Sequence, residues 1–219
     1  MTTIDELKKL YACCMGCKNT SKECPSISED KEINPVPRGF YFKSPQIKIL
    51  AVGKNPSHPQ EDETGRYVNK KGLDVVNAHL TFMGELFQKR THIFHKNLSR
   101  YLSKILGLRE DEIFTQAAYT NLVKCSTVNK QAKIDDKTIN VCFEKFFLKE
   151  LQLFKPNAIL ALGREVESFL KEHYQPNQLG IPTRHIAYVQ HPTYTMSRQG
   201  EAEELSRIKK EMHACCEFP

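Results

Sequence analysis

Ile47-Lys48-Ile49-Leu50-Ala51-Val52-Gly53 is a short apolar run ending in glycine, and its recurrence along the chain decides the fold. Three later runs share its character: Phe114–Val123 (FTQAAYTNLV), Asn157–Gly163 (NAILALG) and His185–Gln190 (HIAYVQ). Each is β-compatible, and two end in Gly, as a strand does where it turns into a loop. Helical patterns fill the gaps. Leu73–Lys89 and Asn97–Leu106 occupy the first, Asp136–Phe154 the second, with Asp135 or Asp136 as its cap, and Arg164–Tyr174 the third. Gly200–Cys216 closes the chain. Strands alternating with helices predict an α/β fold, a three-layer α/β/α sandwich around a short, mainly parallel four-stranded sheet. Ligands of such sheets bind beyond the carboxyl ends of the strands. The segments to read closely are therefore Gly53–Ser57, Asn121–Cys125, Gly163-Arg164 and His191–Tyr194.

The length of 219 residues fits one domain, 1–219, in which residues 1–45 form a cysteine-bearing N-terminal extension packed on the rest. Apolar residues at 40% and charged residues at 26% are a globular balance. No apolar run is long enough to cross a bilayer. The opening MTTIDELKKLYACC lacks the apolar core of a secretory signal, so a cytoplasmic protein without membrane contact is expected, by default a monomer, and nucleoid-associated where its partner is nucleic acid. It reads instead as an amphipathic helix with Ile4, Leu7, Leu10 and Tyr11 on one face. Residues 18–43 read as a long irregular connection. The formal charge of +6 fits a polyanionic partner, although a solvated basic face is the commoner meaning of such an excess.

Eight cysteines without an export signal argue for metal binding or redox chemistry rather than a disulfide scaffold. Cys14 and Cys17 form a CxxC, and Cys125 and Cys142 a second, wide pair. Four thiolates can hold a 4Fe-4S cluster or a zinc ion. Cys13 and Cys24 compete for the ligand role. Cys215 and Cys216 read as ordinary thiols.

Gly53-Lys54-Asn55-Pro56-Ser57 makes a tight loop at the sheet edge, because Gly53 permits unusual backbone angles and Pro56 stiffens the turn. Such a loop can hold the Asn55 amide against a water or a base, and by itself it is also an ordinary strand-ending turn. His191, after the last strand, can donate a hydrogen bond to a developing anion. His92 and His95 have no partner motif and read as structural.

Taken in order, these pieces resemble the uracil-DNA glycosylase superfamily, and most of all its family 4, the iron–sulfur branch. The elements carrying the resemblance are Cys14-x-x-Cys17; Gly53–Ser57; Glu61-Asp62; Gly65-Arg66-Tyr67-Val68 and Gly72; Asn121-Leu122-Val123-Lys124-Cys125; Cys142; Ala161-Leu162-Gly163; and His191-Pro192-Thr193-Tyr194. They span nearly the whole chain. Each is weak alone, and their shared order makes the case.

The resemblance implies a DNA repair glycosylase that hydrolyses the N-glycosidic bond of uracil or a related deaminated base. It implies a cluster held by Cys14, Cys17, Cys125 and Cys142. It implies a base pocket of Gly53, Tyr67 as the stacking ring and Asn121 as the reader of the uracil edge. His191 would stabilise the leaving base. Lys54 stands where family 4 has an acid, and Ser57 where it has Gly. Gly-x-Asn-Pro instead resembles the mismatch-specific and single-strand-selective branches, which implies that Asn55 positions the attacking water. Lys70, Lys71, Lys124, Arg164 and Arg198 are the expected phosphate contacts of the DNA partner. Tyr194-Thr195-Met196 is the segment expected to fill the gap left by a flipped base. The altered first motif also fits an alternative, a catalytically impaired DNA-binding protein on the same scaffold.

Overall fold

The computed structural model describes residues 2–15, 24, 27, 38–56, 63, 65–67, 69–127, 133–173, 185–194 and 196–215; for Cys14, Met15, His185, Ala214 and Cys215 it describes the backbone alone. Four strands form one sheet: β1 (Ile49–Gly53), β2 (Ala117–Asn121), β3 (Ala158–Leu162) and β4 (His185–Val189), in the order β2-β1-β3-β4. β1 pairs in parallel with β3, Ile49 opposite Ala158, and β3 in parallel with β4, Ala158 opposite His185. Along the β1–β2 edge, Ile49 N–H donates to Gln116 O and Val123 N–H to Lys54 O, so the partners advance together and this edge is parallel too. Every position of β1, β2 and β3 is buried. That explains why the runs are continuously apolar rather than alternating: both faces of the sheet are covered, as between two layers of helices. Ile49, Leu50, Ile159 and Leu160 are fully buried, each a gain of roughly 2 kcal/mol.

The helices are α1 (Thr3–Met15), α2 (Leu73–Lys89), α3 (Ile93–Leu106), α4 (Asp136–Cys142), α5 (Leu148–Phe154), α6 (Arg164–His173) and α7 (Arg198–Cys215). In α1 the Thr2 hydroxyl accepts from Asp5 N–H while the Asp5 carboxylate accepts from Thr2 N–H, a reciprocal cap. Leu7 and Tyr11 are the buried face of this helix; Ile4 and Leu10 are half-buried. α3 begins at Ile93, four residues before the expected Asn97, and ends on Gly107 in the left-handed region (φ 70°), whose N–H returns to Ser103 O. Asp135 is the cap of α4, accepting from Thr138 N–H at 2.8 Å. The expected single helix 136–154 is interrupted by a π turn, Phe143–Phe147. Its buried positions come in pairs every fourth residue: Thr138/Ile139, Cys142/Phe143, Phe146/Phe147 and Glu150/Leu151, then Phe154. No described helix is long and apolar enough to cross a membrane.

The chain forms two compact units. The first comprises residues 1–41, 54–83 and 120–154, and in it α1 packs against α5. The second comprises 42–53, 84–119 and 155–219, and in it α6 and α7 pack on β4, and α3 packs on α7.

Candidate functional site

In the first unit the polar groups converge on Asn121, the last residue of β2. Its Nδ2 donates to Gly39 O at 2.9 Å. Gly39 lies in the left-handed region (φ +73°), and a Cβ there would stand 2.2 Å from Asn121 Nδ2 and 3.0 Å from Pro56 Cβ. Only glycine lets this backbone reach the amide. Asn55 is half-buried, and its own Nδ2 donates to Pro56 O at 2.9 Å, so the loop holds the donor end of that amide.

The other side of Asn121 is fixed by a buried ion pair. Lys124 is 0% exposed; its Nζ bonds Glu150 at 3.0 Å, Thr120 Oγ1 at 2.8 Å and the backbone oxygen of Asn121. The Thr120 hydroxyl in turn donates to Glu150 at 3.0 Å. Lys124 was expected to contact phosphate; the structure turns it inward instead. An ammonium enclosed with a carboxylate and satisfied by two further oxygens stays with them, because separating the pair exposes a buried charge.

Tyr67 is 8% exposed and belongs to a directed chain that sequence reasoning missed. His79 Nε2 accepts from the backbone N–H groups of Gly39 (3.1 Å) and Phe40 (3.5 Å). A ring nitrogen that accepts carries no proton, so Nδ1 carries it and donates to the Tyr67 hydroxyl at 2.6 Å. Tyr67 then donates to Glu63 Oε1 at 3.2 Å. Arg38 closes the chain on both Glu63 oxygens, with Nη1 on Ser126 Oγ at 2.7 Å. Burial holds His79 neutral, its pKa lowered to about 3, with the Arg38 charge adding to the effect. Burial, then the Glu63 charge, pushes the Tyr67 phenol far above its usual value. Lys70 and Lys71 follow on an exposed turn in which Lys70 N–H donates to Tyr67 O and Asn69 is left-handed (φ 61°).

Of the cysteines, Cys17 and the side chain of Cys14 lie outside the described residues. Cys142 is buried at the end of α4, Cys125 is half-buried, Cys24 is buried and Cys13 is exposed; none of these four is in a disulfide. Among the described residues no group of three or more His, Cys, Asp or Glu side chains is gathered as a metal centre. The donors still suit one. Cys125, Cys142 and the α1 helix that carries Cys14 all belong to the first unit, with α1 packed on the helix just downstream of Cys142. Partly buried thiols are the soft ligands that an iron–sulfur cluster or zinc takes.

In the second unit, Gly53, Leu162-Gly163 and the residues after Val189 lie at the carboxyl ends of β1, β3 and β4. Gly163 (φ +108°) would bring a Cβ to 3.9 Å from His191 Cβ. His191 is half-buried, and desolvation lowers its pKa. Its Nδ1 lies 2.8 Å from Thr193 Oγ1 and accepts from Thr193 N–H at 3.4 Å. The neutral ring therefore carries its proton on Nε2, the nitrogen left to donate. Phe94 packs on this ring at 5.6 Å, and Asn97 Nδ2 anchors the turn through Pro192 O at 2.7 Å. Tyr194, with its N–H on His191 O, is 61% exposed. Met196 is half-buried and Thr195 lies outside the described residues. Arg164 is exposed over the Tyr188 ring at 5.2 Å, and Arg198 is exposed at the start of α7. His95 is a core ring, edge-on to Phe87 at 4.8 Å, with its pKa lowered by burial to about 4.

Ser57, Glu61, Asp62 and Val68 lie outside the described residues. The residues that sequence reasoning overlooked are Arg38, Gly39, Glu63 and His79. His79 had a detectable signal: it falls on the apolar stripe of α2 with Val75, Val76, Phe82 and Met83, where a polar ring needs a partner.

Among solved structures the chain is similar to wild-type SMUG2 of Pedobacter heparinus, with 13% identity over 77% of this chain and 76% of that one, at a TM-score of 0.46. The profile of the family described as "Uracil DNA glycosylase superfamily" matches residues 40–212, from just past Gly39 to within α7. With four parallel strands between helices and a match over most of its length, the chain belongs to the uracil DNA glycosylase superfamily.

Proposed function

We propose that this protein is a DNA glycosylase that releases uracil or a related deaminated base, in the manner of the iron–sulfur branch but with a Gly-x-Asn-Pro first motif. The observation that carries the reading is the orientation of Asn121. With Nδ2 on Gly39 O, a flipped amide would set Oδ1 against that oxygen, so the amide keeps one sense. An amide held in one sense pairs with the N–H/C=O edge of uracil and mismatches the reversed acceptor/donor edge of cytosine.

The target nucleotide leaves the stack before reaction. Tyr67 supplies the ring for its face. The bond from the sugar carbon to the base nitrogen breaks with its electron pair passing to the base. His191 Nε2–H lowers the energy of that anion, a donor worth roughly 3 kcal/mol. Asn55 orients a water that adds to the sugar carbon and loses its proton to solvent. Lys70, Lys71, Arg164 and Arg198 serve the phosphates. A 4Fe-4S cluster, or zinc, would be held by Cys14, Cys17, Cys125 and Cys142, and when bound supplies a structural tie between the N-terminal helix and the Cys125–Cys142 stretch. The protein acts as a monomer at the nucleoid.

One observation favours a second reading, a binding protein with impaired catalysis: Lys54 stands where family 4 carries an acid. Anaerobically purified protein is incubated with a labelled uracil-containing oligonucleotide, and alkali-sensitive abasic sites are scored. Cleavage by the wild type, lost in His191→Ala and Asn55→Ala, is the expected result. Binding of DNA without cleavage of uracil or of a panel of deaminated bases would replace it with the second reading. A brown protein that loses its colour in Cys142→Ala is expected for the cluster; a colourless protein containing zinc would overturn it.

A further inference from the structure

α3 carries Lys96, Arg100 and Lys104 at successive four-residue steps, hence along one face. They line an open groove of about 480 Å³ that Arg198, at the start of α7, completes. Four cations meet one carboxylate there. Glu201 takes Arg100 at 2.5 Å and Lys104 at 3.3 Å, which fixes these two side chains without cancelling the excess. Lys96, Lys104 and Arg198 are substantially exposed. The groove is also apolar where apolar surface is rare. Of the three exposed large hydrophobic residues among those described, two line it, Tyr194 and Ile93 (52% exposed). All of these residues lie in the second unit, and Tyr194 is tied to His191 through the turn after β4.

The geometry points to a binding track for a single DNA strand along α3, running from the His191 turn. This rests on the glycosylase reading and adds to it a surface outside the strand-end loops. Eight residues of helix span about 12 Å, long enough for the row of cations to follow successive phosphates of one strand. An exposed tyrosine beside a row of cations is the combination that holds unpaired strands, the ring stacking on a base and the cations following the backbone. A smooth duplex offers its phosphates but no open base face to Tyr194, so the track commits to the unpaired strand.

The test is fluorescence anisotropy of a uracil-free single-stranded oligonucleotide, titrated across a salt series. The proteins are the wild type, Lys96→Gln/Lys104→Gln, Tyr194→Ala, and Lys171→Gln on α6 as a control. The double variant is expected to lower the magnitude of the log K against log[salt] slope by about 1.4, at ~0.7 for each phosphate no longer neutralised. Tyr194→Ala is expected to weaken binding roughly fivefold or more at an unchanged slope. Lys171→Gln is expected to change neither. If the double variant keeps the wild-type slope while the wild type still cleaves uracil-containing DNA, the track is wrong and the glycosylase reading survives. If the wild type binds no DNA at all, both fall. Matching thermal melts for the variants, whose changed side chains are exposed, exclude misfolding as the cause.

Discussion

Replacing Gly39 by alanine tests the centre of the site, because the two penalties it incurs can be separated. The first is local: at φ +73° an L-residue costs about 1–2 kcal/mol relative to glycine. The second acts through Asn121. The new Cβ would lie 2.2 Å from Asn121 Nδ2, far inside any contact distance, so the amide must retreat by about 1 Å and surrender its bond to Gly39 O. That bond is worth about 1 kcal/mol net. The contact with Pro56 at 3.0 Å adds a smaller strain. Gly39→Ala should therefore lower stability by about 2–3 kcal/mol, measured by urea denaturation. On the proposed glycosylase function, a misplacement of this size should also cost about a hundredfold in rate under single-turnover conditions. In an Asn121→Ala background there is no amide to displace, and the same substitution should cost only the local 1–2 kcal/mol. An equal cost in both backgrounds would refute the argument, as would a Gly39→Ala protein with full stability and rate.

Three further outcomes follow from the buried groups. Glu150→Ala leaves the Lys124 ammonium enclosed without its carboxylate and should cost about 3–5 kcal/mol in denaturant, whereas the apolar pair Lys124→Met/Glu150→Leu should recover most of it; equal losses would contradict the pairing. Tyr67→Phe removes the acceptor of His79 Nδ1–H and should cost about 1–3 kcal/mol by the same measurement. The folded pKa values of His79 and His95, about 3 and about 4, lie below the ordinary 6.5, so protons bind the unfolded chain first as pH falls. Stability is then complete above pH 6.5 and declines by about 1.4 kcal/mol per pH unit for each histidine below it. His79→Gln should remove one such increment from the slope between pH 6 and 5, and a wild-type stability that is flat from pH 7 to 5 would dispose of the account.

The strands were legible because burial on both faces leaves continuous apolar runs, and such runs are visible without any partner. β1, β3 and β4 begin within two residues of their expected starts, whereas the Phe114–Val123 run is trimmed to Ala117–Asn121, with a 3-10 turn, Ile113–Thr115, at its front. The places of Asn121 and His191 at strand ends were legible because each closes or follows an apolar run. Lys124 was misread for the same reason: its neighbours in sequence suggested a surface, and its true neighbour, Glu150, is twenty-six residues away. Glu150 held the clue. It falls among Phe146, Phe147, Leu151 and Phe154, where a carboxylate is tolerated only against a cation. The chain Arg38–Glu63–Tyr67–His79 joins three separate places in the sequence; Glu63 and Tyr67 stand four residues apart, but no local pattern points from them to Arg38 or His79.

The π turn at Phe143–Phe147 keeps this helix in phase with its surroundings. Burial every fourth residue does not match an α-helix, which repeats every 3.6 residues and so walks about 40° per repeat. Over the four repeats from Thr138 to Phe154 the drift would reach roughly 160°, enough to rotate the far end from the core to the solvent. A π turn spends one more residue than an α turn and takes back about 100° of that drift at a single place. The length of this segment is thus a mechanical setting. Deleting one exposed residue within it, such as Lys145, would restore a regular helix with Glu150 still facing Lys124, because the residue removed carries the same roughly 100° that the π turn takes back; inserting one there would instead swing Glu150 away and unfasten Asn121 from a point more than twenty residues away in the chain.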